Sequence, residues 1–153
     1  MAFDAKRFMK TKFTHREESV PVPDLKDFFE DGEEVAWKVR GLEGTELARA
    51  REANQRNAKI SAAITGLLAG NETEVTENIK QIFGLAGEVP ADTAIRMDML
   101  VMGSVDPKIE MDLAVKLCAC YPIEFSLLTD KIMVLTGMGK VQGERVGSSP
   151  TKA

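Results

Sequence analysis

The chain has 153 residues, of which 44% are hydrophobic and 29% charged, and its formal net charge is -4. A chain of that size and balance builds one soluble core without staples, which excludes a wholly disordered protein. No run of about 18 apolar residues is present, which excludes a membrane-spanning helix. The acidic balance argues against nucleic acid as the main partner, because phosphate neutralisation needs a basic face. The opening MAFDAKRFMKTKF lacks the apolar block of a secretory signal, so the expected location is the cytoplasm.

Asp4 to Phe13 sets Phe3, Phe8, Met9 and Phe13 among Lys6, Arg7, Lys10 and Lys12, and reads as a short basic amphipathic helix or a mobile arm. Pro21 and Pro23 then confine the chain to an extended, sheet-edge course. Asp24 is a candidate cap for a short helix over 25–30, and Asp31-Gly32 is a turn. In the segment 35–40, Val35, Trp37 and Val39 alternate with polar residues, the period of a half-buried strand, which is expected to pair with 19–22. Trp37, on the inward face, is expected to be a core anchor.

From Thr45, a candidate N-cap, a long helix is expected to run to about residue 69, with Ala53, Ile60, Ile64 and Leu67 as its apolar stripe. A second helix is expected over 72–83. A third opens at Pro90, with Ile95, Met99 and Met102 on one face, and ends at Gly103-Ser104. Asp106-Pro107 is expected to start a fourth, lined by Ile109, Leu113 and Leu117, with Tyr121 one turn on. Pro122 starts a fifth, with Phe125, Leu128, Ile132 and Leu135 at helical steps. The expected fold is therefore α+β and mostly helical. One domain covers 1–136, with about five helices and a small N-terminal antiparallel sheet, and a disordered Gly- and Ser-rich tail covers 137–153.

The reactive inventory is small. His15 is the single histidine and Cys118 and Cys120 are the two cysteines, too few ligands for a structural zinc site. On a helix the two thiols point about 200° apart and are expected to pack as small hydrophobes. Gly139-Lys140 lacks the remaining positions of a phosphate loop, with Val134 at its first glycine and Val141 at its Ser/Thr. No metal, cofactor or catalytic residue is therefore assigned, and the chain is not expected to be an enzyme. The acidic run Asp27, Glu30, Asp31, Glu33 and Glu34 lacks the ligand pattern of a calcium loop. It is read as a solvated turn, or as a surface for a basic partner such as the first segment of another copy.

Six of the eight methionines lie between Met97 and Met138. Methionine repacks at low cost and suits adaptable binding surfaces as well as cores. Met99 and Met102 share the Ile95 face and are expected to be core, whereas Met97 and Met111 lie off the stripes.

Four stretches taken in order resemble the tail assembly chaperones of long, flexible-tailed bacteriophages and prophages: Arg16-Glu-Glu-Ser-Val-Pro-Val-Pro-Asp-Leu25, Trp37-Lys-Val-Arg-Gly-Leu42 with Thr45-Glu-Leu-Ala-Arg49, Leu100-Val-Met-Gly-Ser-Val105, and Tyr121-Pro-Ile-Glu-Phe125 running on to Gly137. The resemblance spans about residues 3 to 147. It implies a helper absent from the finished particle that binds the tape-measure protein, keeps it soluble and hands over to tail-tube subunits. It also implies that a longer, frameshifted product, extending from about Gly139-Lys140, could recruit the tube protein. A helical client would lie in a groove between helices, for which Met97, Met111, Tyr121, Phe125 and Met133 are the candidate residues. The rival reading is a tail-completion or connector protein retained in the virion.

Overall fold

The computed structural model describes residues 2–69 and 90–137. The expected helix over 72–83 and the tail beyond Gly137 lie outside the described residues. The elements are α1 (Ala5–Lys10), β1 (Glu17–Pro21), a 3-10 turn (Pro23–Phe28), β2 (Ala36–Arg40), α2 (Gly44–Arg51), α3 (Ala53–Ala69), α4 (Ala91–Gly103), β3 (Ser104–Asp106), α5 (Met111–Cys120) and α6 (Pro122–Thr136). The fold is α+β and mostly helical, with one small antiparallel sheet.

The alternation in β2 does what it predicts. Trp37 and Val39 are buried and Lys38 is exposed, and Val20 stands opposite Trp37 in the antiparallel pairing with β1. A third strand, β3, adds to the other edge of β2, so the order is β1-β2-β3. Trp37 Nε1 donates to Ser104 Oγ at 3.0 Å, and that hydroxyl donates to the Leu100 carbonyl at 2.7 Å. The one buried indole N–H thus joins the sheet to the end of α4.

The expected long helix is two helices. Glu52 leaves helical geometry, and its carboxylate accepts from the Gln55 backbone N–H at 2.9 Å, restarting the helix as α3. Arg56 closes the break from the other side by donating to the Ala50 carbonyl at 3.1 Å. Glu43, not Thr45, occupies the N-cap position of α2, and the Thr45 hydroxyl donates to the Glu43 carboxylate at 2.8 Å. Likewise Val22, not Asp24, precedes the short turn, which is 3-10.

α4 is the centre of the helical layer, in contact with α2, α3, α5 and α6, and α6 also crosses β1 and β2. Two close approaches fix these contacts. A Cβ on Gly103 would stand 2.7 Å from Ile132 Cδ1, and one on Gly41 would stand 2.5 Å from the Leu135 carbonyl oxygen. Phe125, Leu128 and Ile132 are buried as their spacing predicts, and Gly137, at φ 96°, ends α6. α5 differs from expectation: it begins at Met111 rather than at Pro107, and Leu113 is 41% exposed while Met111, Val115 and Leu117 are buried.

Candidate functional site

An apolar groove of about 610 Å³ opens between the 3-10 turn with its following loop and α5. Leu25, Trp37 and Leu117 form its floor, all buried. Phe28 and Leu113 stand up as walls, 72% and 41% exposed. Tyr121, held at the α5–α6 junction by its N–H on the Leu117 carbonyl at 2.8 Å, closes one end and meets Phe28 edge to face. The rim carries Glu30, Glu33, Glu34 and Asp106, all exposed, with Lys116 the only basic residue of the lining.

These residues come together because of local chain chemistry. Pro23 fixes φ at the start of the 3-10 turn, and Gly32, at φ 88°, supplies the left-handed residue that reverses the chain toward β2. That hairpin displays the acidic run on one lip. Pro107 and α5 form the opposite lip. The result is a trough about the size of a ligand site, with greasy walls and a negative edge, fit for an amphipathic segment that carries cations beside large apolar side chains.

Of the five candidate groove residues, the structure places Tyr121 in the groove. Met97, Met111 and Phe125, expected to line the groove, are instead buried in the core and offer no surface to a partner in this conformation. For Met97 the cause is that α4 is packed on several sides, so a residue off its main apolar stripe meets another helix instead of solvent. Met111 opens α5 against the core, and Phe125 lies on the buried stripe of α6. Met133 is half-buried against the core, outside the groove lining. Phe28 and Leu113 are the groove residues that periodicity missed. Phe28 sits in a turn with no period to read, and Leu113 lies on the helix face assigned to the core.

Cys118 is buried, and burial pushes its thiol up to about 11, so it stays protonated near neutrality. His15, Glu43 and Glu46 bring ligand-type atoms within 4.8 Å of one another. The Arg40 guanidinium, however, already stands among them. It donates to both Glu46 oxygens, at 2.9 and 2.6 Å, and lies 3.0 Å from His15 Nδ1. A second cation there would meet that fixed positive charge. The cluster reads as a brace between β2, α2 and the chain leading into β1.

No family model, curated protein or solved structure matches the chain.

Proposed function

We propose that this protein is a tail assembly chaperone of a long, flexible-tailed bacteriophage or prophage, acting by binding an amphipathic helix of its client in the acid-rimmed groove. The observation that supports this reading most is a coincidence of sequence and space. The four stretches that resemble the family are separate in the chain, yet they build β1 with the start of the 3-10 turn, β2 with α2, the end of α4 with β3, and α6. These pack on one another, and they contribute Leu25, Trp37 and Tyr121 to the groove.

The mechanism is reversible burial. A tape-measure helix lays its apolar face on Leu25, Phe28, Trp37 and Leu117, and its flanking lysines or arginines face the glutamates of the rim. Burial contributes about 25 cal/mol per Å² of apolar area, offset by association costs, which leaves a contact that forms and releases during assembly. No group of the groove needs to make or break a bond. Handover to tail-tube subunits, with or without a frameshifted longer product, follows from release of this contact.

Co-expression with overlapping fragments of the tape-measure protein tests the reading. At least one fragment is expected to gain solubility and to co-purify, and the chaperone is expected to be absent from purified particles. Fragments that remain insoluble, or a fixed copy number in the particle as for a connector protein, contradict it.

A further inference from the structure

We infer that in the absence of a client the groove is occupied by the N-terminal arm, residues 3–13, of a second copy of this chain. Among the described residues the arm is an occupant without a seat on its own body. α1 buries no residue, and Phe3, Phe8, Met9 and Phe13 are between 63% and 79% exposed. So large an apolar display on one short segment marks an interaction surface. A six-residue helix is also marginal in water unless a surface supports its face.

Charge selects the seat. Between Phe3 and Phe13 the arm has four cations, Lys6, Arg7, Lys10 and Lys12, against the single acid Asp4, which is engaged as the α1 cap at 3.0 Å from the Arg7 N–H. The groove offers the complement, four acids over an apolar floor. Aromatic side chains fill the trough while lysines meet Glu30, Glu33 and Glu34.

The geometry favours another copy over the chain's own arm. The arm joins β1 at Glu17, opposite Arg40, whereas the groove lies beyond Pro21 and Ala36 at the far end of the same pair of strands, ~13 Å away. At its root Phe13 packs edge to face on His15, itself held 3.1 Å from the Gly41 carbonyl oxygen. On its own body the arm leaves Phe3, Phe8, Met9 and Phe13 exposed and contributes no residue to the groove lining. Arm and groove are different surfaces, so the contact is heterologous and builds rings or open chains rather than a closed two-fold pair.

The inference uses the groove described above but requires no client, so it and the chaperone reading fail separately. Sedimentation velocity on the full chain over a range of concentration and salt tests it. The protein is expected to associate with rising concentration and to dissociate with salt. Lys6→Glu with Lys10→Glu in the arm, or Glu30→Lys with Glu33→Lys in the groove, is expected to weaken association about tenfold or more, and an equimolar mixture of the two variants to restore it. All four positions are exposed, and circular dichroism checks that each variant folds. A monomer at every concentration, association that neither reversal changes, or a mixture that does not recover overturns the inference. So does a concentration-independent change in Trp37 emission on removing residues 2–13, which would place the arm in its own groove.

Discussion

Phe28 and Tyr121 stand edge to face with ring centroids 6.2 Å apart, joining the 3-10 turn to the α5–α6 junction across one end of the groove. Because Phe28 is mostly exposed, it does little for the core. Phe28→Ala is expected to cost at most about 1.5 kcal/mol of stability, the worth of one aromatic pair, while weakening client binding about tenfold. Thermal unfolding and a binding titration on the same preparation separate the two effects. Equal loss of both would show that Phe28 is part of the core.

Trp37 and Ser104 behave in the opposite way, because their hydrogen bond is buried. Ser104→Ala strands the indole N–H and is expected to cost about 1–3 kcal/mol, measured by urea unfolding. In a Trp37→Phe background the same substitution should cost less, since the N–H it leaves unpaired is gone. A double-mutant cycle reads that coupling directly.

Gly41 and Gly44, three positions apart, make a sharp contrast. A methyl at Gly41 meets the backbone of Leu135, which has no rotamer to yield, whereas a Cβ at Gly44 meets nothing within 4 Å. Gly41→Ala is expected to cost about 1–3 kcal/mol and Gly44→Ala to stay within about 0.5 kcal/mol, both by thermal unfolding.

Two carboxylates give opposite pH signatures. Hydrogen bonds from Arg40, and from the Glu43 N–H, hold Glu46 below its ordinary pKa. Its contribution is therefore full above the unfolded value, near 4.3, and is lost as pH falls through the lower folded value. Burial pushes Asp98 up, although Lys59, Arg56 and Arg49 oppose the shift. Folding is then helped by the neutral acid, and that help fades as pH rises from the unfolded value, near 3.9, through the folded one. Glu46→Gln should flatten the acid limb of a stability–pH curve. Asp98→Asn should gain on the parent protein as pH rises from about 4.

Much of the fold is legible in the sequence where one face of an element meets one neighbour. The alternation around Trp37 gives both the strand and its partner, and the steps from Phe125 to Ile132 give the buried face of α6. Legibility stops where a side chain rather than a period decides. Glu52 splits a helix by capping its second half, and β3 is three residues long, too short for a period, set beside β2 by pairing with Lys38 and Val39 and tied there by the Trp37–Ser104 bond. It stops again at α4, where Met97 is core because helices surround it. The groove is assembled from a turn, a strand, a loop and a helix, so the sequence announces its acidic rim and its Tyr121 but not its walls. The arm's exposed aromatics, by contrast, stand out in the first thirteen residues.

The central claim is that this molecule acts by receiving a client helix in the groove over Trp37. Trp37 is the only tryptophan and lies in the groove floor, so its emission reports occupancy without a label. Titrating the full chain with overlapping tape-measure fragments should give a saturable emission change for at least one fragment, weakened about tenfold by Phe28→Ala and by raised salt. A binding fragment that leaves Trp37 emission unchanged and is indifferent to Phe28, or a complete set of fragments that does not bind, contradicts the account.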